Sequence, residues 1–140
     1  MTEQAGQPAK IVRVGVAIIE HNGRYLVGVR SQEADLPGQS EFPGGKCEPD
    51  ESPDQSAVRE TLEETGLAVE AVRCLDQRVF EYEHATVDLN FWLCRLVGTE
   101  SNSQHGHVWL NPNELDPDTF PSANRSIIEQ IRSASPFLLD

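Results

Sequence analysis

The stretch that decides the fold runs from Gly45 to Leu67 and reads GKCEPDESPDQSAVRETLEETGL. Its second half is a helix marked at both ends. Ser52 is a capping residue, Pro53 suits the first helical position because it lacks an amide hydrogen that would go unpaired there, and Gln55 completes a capping box. Gly66 supplies the stop, because glycine enters the left-handed region without steric penalty. This pattern predicts a helix over Pro53 to Thr65. On it Ala57, Val58, Thr61 and Leu62 fall on one side, while Glu60, Glu63 and Glu64 share the other. Three carboxylates at i, i+3 and i+4 repel one another unless something positive sits among them. An oxygen-only donor set suits Mg2+, a hard ion that keeps several waters and is shared with substrate phosphates, with Mn2+ as the alternative; zinc fits poorly. Taken alone, three glutamates are more often a solvated acidic helix face than a metal site.

Upstream, Leu36 to Gly45 carries Pro37, Gly38, Pro43, Gly44 and Gly45. That density of breakers predicts a shaped loop without regular structure. Before it, Val12 to Ile19 and Tyr25 to Val29 read as strands joined by a turn at His21, Asn22 and Gly23, a hairpin. Downstream, Val69 to Leu75, Arg78 to Tyr82, Thr86 to Leu96 and the short Val108 to Leu110 read as strands. A second helix is predicted over Ala123 to Ser133, with Ile127, Ile128 and Ile131 on its apolar face. Strands and helices intermix, so the fold class is α/β, a mixed sheet covered by helices.

Composition narrows the function. The chain has 140 residues, enough for one domain, expected over residues 11–140 behind a flexible N-terminal segment at 1–10. With 11 basic against 23 acidic side chains and a formal charge of -12, most of its surface repels a nucleic-acid polymer. A small phosphorylated ligand remains compatible, because a bound cation reverses the field locally. No stretch has the length and apolarity of a membrane span or secretory signal, so a cytoplasmic protein, monomer or homodimer, is expected. The three cysteines, Cys47, Cys74 and Cys94, are odd in number and widely spaced, which suits reduced thiols.

The quoted stretch resembles the Nudix box, G-x5-E-x7-R-E-U-x-E-E-x-G-U, where U is a bulky apolar residue. Gly45, Glu51, Arg59, Glu60, Glu63, Glu64 and Gly66 occupy their motif positions in order, and Thr61 stands where the pattern has an apolar residue. So many fixed positions make a chance match far less credible than a lone glycine pattern. The resemblance implies an α/β/α sandwich and a metal-dependent hydrolase of nucleoside diphosphate linkages. It implies Mg2+ on Glu60, Glu63, Glu64 and the Gly45 carbonyl, with Arg59 holding a box glutamate in place. The spacing agrees in one respect, since Arg59 lies four residues before Glu63. Thr61 should affect packing rather than chemistry.

More loosely, the chain is similar to MutT-type nucleoside triphosphate pyrophosphohydrolases from Val12 to Ser133. The phrases that carry this are Glu41-Phe42-Pro43-Gly44-Gly45, Phe91-Trp92-Leu93, Trp109 and Phe120-Pro121-Ser122-Ala123-Asn124. The similarity implies that Asn124 reads the base edge, that Arg30 contacts the nucleotide, and that Phe42 and Gly44 lie beside the substrate. An asparagine amide offers a donor and an acceptor side by side, as a purine edge requires. Asn124 fits a helix-capping role equally well. Tyr82, Phe42 and Phe91 could stack on a base, although aromatics in strands are more often core, and only Phe42 is assigned to the site. Relatives often carry Glu-His shortly before the tryptophan, whereas this chain has Gln104-His105. If that glutamate is the base, then Glu100, His105 or a box glutamate replaces it here. The competing readings are a hydrolase of a dinucleoside polyphosphate or ADP-ribose, and a non-catalytic nucleotide sensor.

Overall fold

The computed structural model describes residues 10–29, 38–98, 102 and 106–133. Its first strand, β1 (Lys10–His21), explains the architecture. Val16 and Ile18 point to one face and Ala17 and Ile19 to the other, and all four are buried. A strand buried on both faces needs cover on both sides of its sheet. The second strand, β2 (Arg24–Val29), follows through a tight turn in which Asn22 and Gly23 both have positive φ, 54° and 81°. This conformation matches the twist of a two-residue hairpin.

The remaining elements are β3 (Ser40–Glu41), β4 (Gly44–Lys46), α1 (Pro53–Thr65), β5 (Val69–Glu81), β6 (Ala85–Leu96), β7 (His107–Leu110) and α2 (Arg125–Ser133). Among the described residues the seven strands form one sheet in the order β3-β2-β1-β6-β5, with β4 on β1 and β7 on β2. The β1–β6 pairing is parallel and the others are antiparallel, so the sheet is mixed, as expected. On one face α2 buries Ile127, Ile128 and Ile131 against Val16, Ile18, Val27 and Phe91. Each such side chain contributes about 1.5–3 kcal/mol. On the other face α1 packs Ala57 against Ala17, Ile19, Leu26 and Cys94. The result is the α/β/α sandwich. Among the described residues no helix is long and apolar enough to cross a membrane.

Five details depart from the sequence reading. Ser40–Glu41 and Gly44–Lys46 are strands, although the region was expected to be irregular. Glycine makes this pairing feasible: a Cβ on Gly44 would stand 2.4 Å from the carbonyl oxygen of Gly15, so only a residue without one lets β4 lie so close to β1. Val69–Glu81 is one strand rather than two, because register shifts between Ala71 and Arg73 and between Cys74 and Asp76 absorb the apparent break. Helix α2 starts at Arg125, after a 3-10 turn at Ser122–Asn124. Leu62, assigned to the packing face of α1, is 53% exposed; Ala57 and Thr61 are buried as expected, and Ser56 and Thr65 are buried with them. Lys10, placed by sequence in the leading segment, opens β1.

Candidate active site

Helix α1 spans the predicted limits. The Ser52 amide donates to Gln55 Oε1 at 3.0 Å, and Gly66 ends the helix at φ 80° with its amide bonded to the Leu62 carbonyl. Thr61 turns its hydroxyl back onto the Ala57 carbonyl at 2.7 Å, so a polar residue occupies an apolar position without an unpaired group. The first turn of α1 lies on Gly15 of β1, where a Cβ would stand 1.9 Å from the Pro53 carbonyl oxygen. Gly45 of β4 is the register partner of Gly15. Three glycine-dependent contacts thus bring β1, β4 and α1 together at one point.

Along that seam α1 presents Ser56, Glu60 and Glu64, one helical turn apart. Each meets the backbone of β4. The Ser56 hydroxyl donates to the Gly45 carbonyl at 2.8 Å, and the Gly44 amide donates to Glu64 Oε1 at 3.3 Å. Glu60 lies so close to Gly45 that a Cβ there would stand 2.4 Å from its Oε2. The Glu60 and Glu64 side chains are hydrogen-bonded to each other. Burial, followed by that bond to Glu60, raises the Glu64 carboxyl to about 7.

Arg59 organises a second row. Its Nε and Nη2 donate to Glu51 at 2.7 and 2.9 Å, its Nη1 reaches both Glu63 oxygens at 3.2 Å and Glu60 Oε2 at 3.3 Å, and its Nη2 also donates to the Lys46 carbonyl at 3.2 Å. The pairing with Arg59 lowers the Glu51 carboxyl to about 2, and Glu51 in turn raises Arg59. Glu51 accepts a bond from the Glu48 amide at 3.0 Å, which ties the loop down. Glu51 was quoted within the motif but given no role. Its signal was the arginine at fixed distance, attributed to Glu63 on helical spacing alone.

The three predicted glutamates therefore divide. Glu60 and Glu64 converge on Gly44 and Gly45, whereas the Glu63 side chain, 56% exposed, turns to Arg59. Among the described residues no three His, Cys, Asp or Glu side chains are grouped to hold a metal ion by themselves. The donors beside the carboxyl pair are oxygens only, and two hydrogen-bonded carboxyls need a proton or a cation between them. That chemistry fits a hard divalent ion completed by backbone carbonyl, water and substrate oxygen.

Phe42 is 6% exposed and packs on Phe120, with ring centroids 4.9 Å apart. Phe91 is fully buried in the same core, and Tyr82 is 59% exposed. Asn124 follows Phe120 on this face and is 8% exposed. Its backbone amide bonds to the Pro121 carbonyl at 2.9 Å, and among the described residues its side chain makes no hydrogen bond, including to the first turn of α2. Arg30, Glu100, Gln104 and His105 lie outside the described residues.

A mixed sheet between two helical layers, with a loop, helix and loop that gathers carboxyls against glycine backbone, defines a class of enzyme that hydrolyses phosphate anhydrides. The NUDIX domain model matches residues 14–130, so the chain belongs to the Nudix family and is a Nudix hydrolase. It is 30% identical over 126 residues to the 8-oxo-dGTP diphosphatase of Escherichia coli (strain K12), covering 88% of this chain and 98% of that protein. It is 33% identical over 132 residues to the CTP pyrophosphohydrolase of the same organism, covering 91% and 98%. The solution structure of the E. coli ORF135 protein superposes with a TM-score of 0.74 at 30% identity, covering 93% of this chain and 96% of that one.

Proposed function

We propose that this Nudix hydrolase cleaves a nucleoside triphosphate to nucleoside monophosphate and pyrophosphate with Mg2+, in the cytoplasm. The observation that carries the reading is the convergence of the Glu60 and Glu64 carboxyls on the Gly44–Gly45 backbone. Glu60, Glu64 and the Gly45 carbonyl would hold the ion, with Glu63, held by Arg59, beside them; Mn2+ would serve less specifically. When bound, the ion supplies neutralisation of charge on the phosphates and a more acidic attacking water. Arg59 keeps Glu60 and Glu63 oriented through its anchor on Glu51. A Glu64 oxygen left free by the ion, held at the Gly44 amide, is the group suited to accept the proton of the attacking water.

For the base, a buried asparagine whose side-chain amide has no hydrogen-bond partner among the described residues supports recognition by Asn124, with Phe42 near it and Arg30 as a further contact. The likeness to an 8-oxo-dGTP diphosphatase favours an oxidised guanine nucleotide. The likeness to a CTP pyrophosphohydrolase favours a cytidine nucleotide as the second reading, because a cytosine edge also pairs with an amide. The test is a panel of 8-oxo-dGTP, dGTP, dCTP, CTP, a dinucleoside polyphosphate and ADP-ribose with Mg2+, reading products and kcat/KM. The expected result is monophosphate plus pyrophosphate, with 8-oxo-dGTP preferred. A preference for CTP selects the second reading, and turnover of the last two compounds alone defeats both.

A further inference from the structure

We infer that His107 binds the distal phosphates of the substrate, its imidazole holding the pyrophosphate that leaves. The inference rests on the nucleoside triphosphate reading above and adds a residue that lies outside the Nudix box. His107 opens β7 and is the register partner of Gly28 on β2, whose other flank pairs with Glu41 of β3. Two positions along those strands, the register partners Leu26 and Trp109 pack with Ala57 of α1. Strand side chains alternate, so the row of His107, Gly28 and Glu41 faces the same side of the sheet as α1. Gly28 has no side chain, and the imidazole fills the gap: a Cβ there would stand 2.9 Å from Nε2, the nearest ring atom. The ring therefore leans from β7 across Gly28 with its Nε2 edge leading.

Glu41 lies three residues before Gly44, and between them the Pro43 carbonyl accepts the Ala17 amide at 2.8 Å, which seats this segment between β2 and β1. The Gly44 amide in turn holds Glu64. The site is thus a cleft: α1 with Glu60 and Glu64 forms one wall, the segment from Glu41 to Gly45 the floor, and His107 the opposite wall. Asn124 stands at the entry to α2, on the other side of the sheet. A nucleotide whose base sits there and whose phosphates reach the carboxyl pair carries its far end onto the α1 side. Of the side chains that meet it, Glu41 is exposed and anionic and repels phosphate, and Arg59 is committed to Glu51, Glu60 and Glu63. An imidazole has at least one N–H in either protonation state, and a phosphate oxygen accepts it in a charge-assisted bond.

The experiment uses the full chain with Mg2+ and inorganic pyrophosphate as the probe, read as its inhibition constant against triphosphate turnover, beside that of the nucleoside monophosphate product. His107→Ala should raise the pyrophosphate constant and lower kcat/KM, each about 10-fold or more, the weight of one hydrogen bond to a charged group. Monophosphate inhibition and the melting temperature should hold. His107→Gln, which offers an amide N–H in place of Nε2, should restore most of the loss. Gly28→Ala should fold, because its backbone is ordinary strand and its Cβ meets only the far end of a side chain that can swing. It should reproduce the His107→Ala defect and add nothing to it in the double variant. Equal weakening of pyrophosphate and monophosphate, or a lowered melting temperature with no change in either constant, would give the imidazole a structural role and overturn the inference. Glu64→Gln is the control for the site itself. If Glu64→Gln loses turnover while His107→Ala keeps wild-type pyrophosphate inhibition, the role of His107 is overturned and the hydrolase reading survives. If both variants behave like wild type, the site reading fails and the role of His107 fails with it.

Discussion

Arg59 donates two hydrogen bonds to Glu51, at 2.7 and 2.9 Å, across the loop that precedes α1, although Glu63 lies one turn along its own helix. The bidentate pair is the stronger geometry. Arg59 thereby has a fixed base from which it reaches Glu60 and Glu63. Glu51→Gln should free the guanidinium and let both glutamates drift. A kcat reduction of about 10-fold or more is expected, the usual cost of losing a group that orients ligands. Steady-state kinetics at saturating Mg2+ would show it. A fall in KM affinity with unchanged kcat would mean that Arg59 serves the fold of the loop alone.

Glu64 gives the metal-free protein a pH dependence of definite sign. Its folded carboxyl is raised to about 7 from an ordinary 4.5. Below both values the group is protonated folded or unfolded. Between them the unfolded chain gives up a proton that the folded protein keeps, so stability falls as pH rises through this window. In EDTA the melting temperature should therefore decline from about pH 5 to about pH 8, after allowance for other groups by comparison with Glu64→Gln. Added Mg2+ should reverse the decline by binding the folded state. A flat difference between wild type and Glu64→Gln across this range would contradict the shared-proton picture.

Gly15 makes the approach of α1 feasible. A Cβ there would stand 1.9 Å from the Pro53 carbonyl oxygen and 2.9 Å from the Ala57 amide nitrogen, both backbone atoms that cannot swing aside. Gly15→Ala should lower stability by about 1–3 kcal/mol or more, the cost of overpacking. It should also displace the seam that carries Glu60 and Glu64. Chemical denaturation gives the first quantity and Mn2+ affinity the second. Unchanged values of both would show that α1 shifts without consequence.

Asn124→Ala separates recognition from architecture. A buried amide that pairs with a base edge is worth about 1–3 kcal/mol when lost, or roughly 5- to 150-fold in kcat/KM for the preferred nucleotide. The ratio of kcat/KM for 8-oxo-dGTP over dTTP should collapse while the melting temperature holds. If the ratio is unchanged and stability drops by about 0.5–2 kcal/mol, Asn124 is a cap after all.

How much was legible follows from the kind of signal involved. Helix α1 was readable to the residue because Ser52, Pro53, Gln55 and Gly66 are local signals, each with one stereochemical meaning. The run Val12 to Ile19 was likewise readable as a buried strand, although four consecutive apolar residues do not tell which of them face α1 and which face α2. Asp76 and Gln77 looked like a strand break because bulges depend on the neighbouring strand, which no local pattern records. The separation of Glu63 from Glu60 and Glu64 was hidden for a related reason. Helical spacing puts all three on one side, and only the position of Arg59 and Glu51 decides which carboxylate turns away. Gly15 had a readable sign, since an isolated glycine inside a strand marks a close backbone approach, and it was passed over. Ser56 had none.

Because β1 pairs in parallel with β6, the chain between them, α1 and the glycine-rich loop included, must cross the sheet before either strand gains this partner. Closure of segments so distant in sequence sets a slow clock for folding, while the β5–β6 hairpin closes early. The two carboxyls meet Gly44 and Gly45 only when β4 has settled on β1, near the end of that sequence. A collapsing chain thus offers a cation nothing to grip. A divalent cation bound at that pair would therefore favour the finished molecule over the collapsing chain.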